Sequence, residues 1–217
     1  MTACRIAVDA MGGDRAPQAP AAGAALAAAT SGVKVLLVGD GDRLEQAYAA
    51  SGTRRPQNVE LVHASEVIGV EESPVWALRH KQDSSLAVGL RLVKEGKAQA
   101  LVSAGSTGAL LVGGCLELGR LPGIDRPALC AVIPTVDGKG VVMLDVGGST
   151  DVRPHQLVQW AVMGSVYAGA VLGRPDPVVG LLNIGAEPNK GSELVKAAYP
   201  RLQRAAINFS GNIEPRE

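Results

Sequence analysis

One arrangement recurs along this chain and limits what it can fold into. A short hydrophobic run enters a loop of Gly, Ser, Asn and Asp: VDAMGGD (8–14), SAGSTGA (103–109), LDVGGSTD (144–151), LNIGAEPNKG (182–191) and NFSGNIE (208–214). Between these runs lie longer stretches with helical spacing. Strands are expected at Arg5–Asp9, Val33–Val38, Val59–His63, Ala100–Ser103, Ala128–Pro134, Gly140–Asp145, Val178–Ile184 and Ala206–Phe209. Helices are expected at Gln18–Ala29, Arg43–Ala50, Ser84–Glu95, Thr107–Leu118, Pro154–Leu172 and Ser192–Arg204. Strands alternating with helices argue for an α/β fold, a mainly parallel sheet covered on both faces. One connection departs from the pattern. Only Thr135-Val136-Asp137-Gly138-Lys139 separates the fifth and sixth strands, and Asp-Gly is a hairpin signal, so one antiparallel strand is expected. The alanine-rich stretch from Ala21 to Ala29 reads as a helix packed closely on the sheet.

A chain of 217 residues, 47% of them hydrophobic, is long enough to bury a full core, and a single domain over 1–217 is expected. The 27 glycines and the 3% aromatic content fit many tight turns around a core of Ala, Val and Leu. Basic and acidic residues balance at 21 each, so no global field draws nucleic acid, and stacking aromatics are scarce. Cys4, Cys115 and Cys130 are odd in number, widely spaced and set among apolar neighbours; they read as reduced core thiols of a cytosolic protein. Asp9 and Asp14 interrupt the N-terminal region, which argues against a signal peptide, and no apolar stretch reaches about 20 residues. A soluble or at most peripheral protein is expected.

The loops carry the functional signal. In open α/β sheets, ligands bind outside the carboxyl ends of the strands, where such loops gather. Helix N-termini offer unpaired N–H groups and the positive end of a dipole. Glycine allows close backbone approach, and Ser or Thr adds a hydroxyl donor or a cap. In Ser103-Ala104-Gly105-Ser106-Thr107-Gly108, no side chain is large enough for chemistry, so any chemistry lies in the backbone. The simpler reading is that Ser106 or Thr107 caps a helix. Several such loops together favour a phosphate or oxyanion site, with residues 12–14, 103–108, 145–151 and 183–191 converging on one cleft. Familiar nucleotide motifs are missing. Gly39-Asp40-Gly41 lacks the third glycine of G-x-G-x-x-G, Asn189-Lys190-Gly191-Ser192 is no P-loop, and G-x-S-x-G does not occur.

Charged candidates concentrate in SPVWALRHKQDSS (73–85), where Pro74 suits a first helical turn and puts Arg79, Lys81 and Asp83 near the helix end. Arg79 and Lys81 are candidate anion clamps; the alternative is a solvated helix end with Arg79 paired to Asp83. His63 closes a strand and is a candidate general base or phosphate donor. The three histidines, with His80 and His155, lack metal-ligand spacing, and no metal site is expected.

Taken in order, VDAMGGD, HASEVIGVEESPVWALRHKQDSS, LVSAGSTGALL, GIDRPAL, MLDVGGSTD, LLNIGAEPNKG and NFSGNIE resemble the bacterial phosphate acyltransferase family of fatty acid and phospholipid synthesis. The resemblance covers essentially the whole chain. It implies a three-layer α/β/α sandwich like that of isopropylmalate dehydrogenases and phosphotransacetylases. It also implies transfer of a long-chain acyl group from acyl carrier protein to inorganic phosphate, without a cofactor, by a cytoplasmic homodimer able to associate peripherally with the membrane. Candidate catalytic residues are His63, Lys190 and Asp145. Candidate substrate- and phosphate-binding residues are Asp9, Gly12, Gly13, Asp14, Arg79, Lys81, Ser103, Gly105, Ser106, Thr107, Gly108, Gly147, Asn183, Gly185, Gly191 and Asn212. Ser106 stands where the family commonly has Asn, Gly148-Ser149 replaces an Ala-Asn pair, and Pro215 takes a common Gly position. Family chains continue beyond the last loop, so a truncated family domain is expected, with an apolar patch near Phe209. Two alternatives stay open: an inactive acyl-carrier-protein-binding or membrane-associated module, and a phosphotransacetylase-type enzyme using coenzyme A.

Overall fold

Strand β1 (Arg5–Asp9) lies between two parallel neighbours, β2 (Lys34–Gly39) and β4 (Ala100–Ser103), and β3 (Val59–His63) pairs with β2. The order is therefore β3-β2-β1-β4. These relations come from a computed structural model that describes residues 4–52 and 54–215. The described residues fall into two compact units, one ending at Gly119 and the other beginning at Arg120.

In the first unit, period-two alternation feeds two layers. Val35 and Leu37 of β2 pack with Ala21, Ala24, Ala25 and Ala28 of α1 (Gln18–Ser31) and with Leu44, Ala47 and Tyr48 of α2 (Gly41–Ala50). The alanines recur at i, i+3, i+4 and i+7, so α1 presents a stripe of methyls that lets it approach the sheet closely. Leu36 and Val38 point to the opposite face, with Ala7, Ala64 and Ala98 and with Val88 and Leu92 of α4 (Ser85–Lys94). Fully burying a side chain such as Leu37 or Leu44 contributes roughly 1.5–3 kcal/mol. The motif at 73–85 divides into α3 (Pro74–His80), with Pro74 in its first turn, and the start of α4, with Lys81-Gln82-Asp83-Ser84 between them. Gly113, at the end of α5 (Thr107–Gly113), lets that helix press on α4 and α3: an added Cβ would lie 2.5 Å from Leu90 and 3.3 Å from Leu78. A π-helical turn, Gly114–Leu118, continues α5.

The second unit holds two small ladders. β5 (Cys130–Ile133) and β6 (Val141–Leu144) pair antiparallel, as Asp137-Gly138 predicts, but they pair with each other and form a two-stranded sheet of their own. β7 (Val178–Leu182) and β8 (Asn208–Ile213) pair in parallel, with an irregularity at Val179/Gly180. α6 (Pro154–Leu172) and α7 (Glu193–Leu202) complete the unit. Within it, Trp160 of α6 is buried and donates from Nε1 to the Arg126 carbonyl at 3.0 Å.

Two expectations are corrected. The last strand does not end at Phe209. It continues to Ile213, because pairing with β7 supplies the backbone bonds that Ser210-Gly211-Asn212 alone does not advertise. The cysteines are free but are not core residues: Cys4 and Cys130 are exposed, Cys4 just ahead of β1 and Cys130 on a strand with an open face. The mainly parallel sheet with helices on both of its faces stands as expected. Among the described residues, no helix is long and apolar enough to cross a membrane.

Candidate functional site

The strand order gives the first unit a reversal point. From β1 the chain builds outward to β2 and β3, then returns to place β4 on the other side of β1. In such sheets the crevice outside the carboxyl ends of the two strands flanking the reversal is where ligands bind. Here those strands are β1 and β4, and they lead into VDAMGGD and SAGSTG.

At that point the two loops meet backbone to backbone. A Cβ on Gly12 would lie 2.8 Å from the Gly105 nitrogen and 2.6 Å from Asp9 Oδ2. Only glycine fits there. Asp9 lies beneath them, 4% exposed. Its Oδ1 accepts from the N–H groups of Met11 at 3.2 Å and Gly12 at 3.1 Å, and from the Ser85 hydroxyl at 2.6 Å. Its Oδ2 accepts from the Ser103 hydroxyl at 2.7 Å. Ser103 Oγ in turn accepts from the Gly105 N–H at 3.1 Å. Gly13 holds φ at +98°, a left-handed turn suited to glycine, and Asp14 beyond it is exposed. Ser106 caps α5, accepting from the Ala109 N–H at 3.3 Å, as the simpler reading of that loop has it. Thr107 and Gly108 begin the helix, exposed, and a Cβ on Gly108 would lie 3.0 Å from Pro74 of α3.

The segment from 63 to 85 forms a second arrangement in the same unit. Lys81 Nζ donates to Glu72 Oε1 at 2.6 Å and to the Val67 carbonyl at 2.8 Å, so its charge is engaged within its own loop. That hydrogen bond, with one from the Gly69 N–H, holds the Glu72 carboxyl below its usual range. Asp83 does not pair with Arg79. It accepts from the Ser65 hydroxyl at 2.6 Å and the Ser65 N–H at 2.9 Å, which lower its pKa, helped by the nearby His63 and Arg91. His63 stays exposed at the end of β3. Arg79 is exposed and its guanidinium has no ion-pair partner among the described residues. Trp76 and His80 stack one turn apart on α3, with ring centroids 4.5 Å apart.

In the second unit the strand-end residues are again Asp and Asn. Asp145, after β6, accepts through Oδ1 from the N–H groups of Leu129 at 2.7 Å and Gly148 at 3.1 Å, shaping the loop that contains Gly147 (φ +105°). Asn183, after β7, accepts from the Ile184 N–H at 2.8 Å and donates to the Lys190 carbonyl at 3.0 Å. Asn212, on β8, donates to the Glu187 carbonyl at 2.8 Å. Gly191 (φ +90°) packs directly on the Asn183 side chain, and Gly185 is buried between the Glu187 and Lys190 side chains. The Lys190 side chain is exposed and has no ion-pair partner among the described residues. Asn212 Oδ1 and Ser149 Oγ are buried without a partner among the described residues.

The structure thus brings Asp9, Gly12, Ser103 and Gly105 together in the first unit, and Asn183, Gly185, Lys190, Gly191 and Asn212 together in the second. It sets His63, Arg79 and Lys81 on separate parts of the 63–85 segment. Ser85 was not among the residues singled out from sequence, yet it completes the Asp9 cluster. Its signal was faint: a second serine at a helix start where one already serves as cap, Ser84 accepting from the Ala87 N–H. Among the described residues, no group of three His, Cys, Asp or Glu side chains could hold a metal ion.

Comparison with known proteins fits this geometry. A family model described as fatty acid synthesis protein matches residues 4–217, and the chain belongs to that family. A phosphate acyltransferase from Desulfitobacterium hafniense (strain Y51) is 51% identical over 212 residues, covering 98% of this chain and 62% of the relative. The chain therefore spans less than two thirds of that relative's length. Among solved structures, a phosphotransacetylase from Streptococcus pyogenes matches with a TM-score of 0.72 at 15% identity, covering 98% of this chain and 68% of the other. A phosphotransacetylase from Staphylococcus aureus matches with a TM-score of 0.70 at 20% identity, covering 98% and 69%. At these identities the likeness is one of fold.

Proposed function

We propose that the protein transfers a long-chain fatty acyl group from acyl carrier protein to inorganic phosphate, forming acyl phosphate. One structural observation carries this reading. The glycine loops after β1 and β4 abut at the reversal point of a parallel sheet, with backbone rather than large side chains at their contact. That arrangement suits a small, symmetric, anionic substrate better than an extended nucleotide. The name of the relative supplies the chemistry. In the step itself, an oxygen of hydrogen phosphate attacks the thioester carbonyl, the new carbon–oxygen bond forms, the carbon–sulfur bond breaks, and the proton that the phosphate gives up goes to the leaving sulfur, which departs as the carrier thiol. A substantial share of inorganic phosphate is already dianionic near neutral pH and needs little base assistance, so positioning and charge neutralisation carry most of the rate.

In this reading the whole chain works as one acyltransferase domain. The glycine loops receive phosphate, and Lys190 and Arg79, two exposed cations with no ion-pair partner among the described residues, act on substrate anions through binding rather than proton transfer. His63 and Asp145 are the remaining candidates for catalytic roles. Acyl carrier protein is the partner, and the working form is a cytoplasmic homodimer.

The test is to mix the protein with long-chain acyl carrier protein and phosphate and follow acyl phosphate. Lys190→Ala should raise the phosphate requirement roughly tenfold or more, the size of a lost charged hydrogen bond. An unchanged phosphate curve in folded Lys190→Ala protein returns that lysine to the solvated surface, and the same holds for Arg79→Ala. Activity with acyl coenzyme A but not with acyl carrier protein would favour the phosphotransacetylase-type reaction instead.

A further inference from the structure

Asp9 was expected to contact substrate, but its surroundings leave little of it to offer. The residue is 4% exposed. Four donors reach its two oxygens: the N–H groups of Met11 and Gly12, and the hydroxyls of Ser85 and Ser103. These donors come from three parts of the chain: its own loop, a position 76 residues away and another 94 residues away. The two serines approach different oxygens, Ser85 at Oδ1 and Ser103 at Oδ2. Ser103 relays the contact one step further, because its Oγ also accepts from the Gly105 N–H. Gly12 seals the cluster, since anything larger would strike both Asp9 Oδ2 and the Gly105 backbone.

We propose that Asp9 is a positioning residue that acts through its neighbours, with Ser85 and Ser103 as its two arms. It locks the 10–14 loop, the start of α4 and the 103–108 loop into one surface. The inference rests on the phosphate acyltransfer reading for what that surface receives; the locking is a property of the network itself. A carboxylate buried only for stability would, on losing one hydroxyl, weaken the unit as a whole. A positioning carboxylate passes the loss from one arm to the other, because its rotation is fixed by both.

The decisive experiment is residue-resolved amide exchange at Gly12 and Gly105 in the 217-residue chain. Wild type is compared with Ser85→Ala, Ser103→Ala and Ser103→Thr. Ser85 makes no bond to the 103–108 loop. Nevertheless Ser85→Ala should speed Gly105 exchange about tenfold relative to the most stable core amides, the effect of one lost charge-assisted hydrogen bond. Ser103→Ala should do the same at Gly12, while Ser103→Thr, which keeps the hydroxyl, should retain protection. Gly105 exchange in Ser85→Ala equal to wild type, with losses confined to α4, would overturn the proposal. So would Ser103→Thr behaving like Ser103→Ala. The serine variants decide the matter even where Asp9→Asn fails to fold.

A second readout tests the link to function. Ser85→Ala should raise the KM for inorganic phosphate severalfold while kcat changes little. Wild-type protein that makes no acyl phosphate would defeat the acyltransfer reading, and the exchange data would still decide the role of Asp9. A normal phosphate KM in an active Ser85→Ala protein whose Gly105 amide is deprotected would overturn the claim that this surface receives phosphate.

Discussion

The loops after β1 and β7 are both glycine-rich, one following Asp9 at the end of its strand and the other opening on Asn183 just past its strand, but they are held in opposite ways. At Asp9 a carboxylate, which can only accept, gathers two backbone N–H groups and two hydroxyls. At Asn183 and Asn212 two amides donate to the loop carbonyls of Lys190 and Glu187. The first device consumes N–H groups and ties distant segments to one point. The second consumes carbonyls: across 183–191 the N–H groups of Asn183, Ile184 and Lys190 have partners, and those of Gly185, Ala186, Glu187, Asn189 and Gly191 have none among the described residues. Strand-end chemistry therefore divides the work. A carboxylate builds a rigid floor, and amides hold up a loop whose donors remain available.

Alanine substitutions at paired glycines test this contrast most severely. Gly12→Ala places a methyl against backbone and a fixed carboxylate and should cost about 3 kcal/mol in chemical denaturation, or prevent folding of the first unit. Gly185→Ala meets side chains and no backbone, the Glu187 carboxylate at 2.9 Å and the Lys190 stem at 3.1 Å, and should cost less than Gly12→Ala, about 1 kcal/mol. Equal costs would break the comparison. Next in size is Asn183→Ala, which leaves the Lys190 carbonyl unsatisfied and should destabilise by about 1–3 kcal/mol. Asn212→Ala should cost less, because it also removes a buried oxygen that has no partner among the described residues. The smallest effect concerns pH. Hydrogen bonds from Thr135 and Lys139 hold the Asp137 carboxyl down at about 2. A depressed carboxyl contributes stability above its unfolded pKa of roughly 3.9, and that contribution is lost as pH falls toward about 2. Asp137→Asn should therefore differ from wild type at pH 5 in its β5–β6 turn resonances, with the difference falling by about half near pH 2 and vanishing only below it.

Much of this was legible in the sequence, for reasons that separate local from distant information. β1, β3, β4 and α6 fall where hydrophobic runs and Pro154 put them, because each signal is contained within its own segment. The hairpin was readable from Asp137-Gly138 alone. β8 was not: Gly211 and Asn212 look like loop residues, and only β7, about 30 positions earlier, makes them strand. The candidate loops were found because glycine and hydroxyl residues mark them. The function of Asp9 was hidden because its partners lie at 85 and 103, and nothing nearby announces that three segments share one carboxylate. Lys81 was misleading in the other direction. It reads as a free cation until Glu72, nine residues earlier, folds back onto it.

The central claim is that the loops after β1 and β4 form one phosphate-receiving surface. It is tested most directly by titrating inorganic phosphate into isotope-labelled protein and following the backbone amide resonances of the first unit. The account predicts that residues 12–14 and 104–108 shift together, saturate with a single dissociation constant, and lose that common response in Ser85→Ala. Saturable shifts confined to one loop, or a response of both loops that Ser85→Ala leaves unchanged, would contradict it.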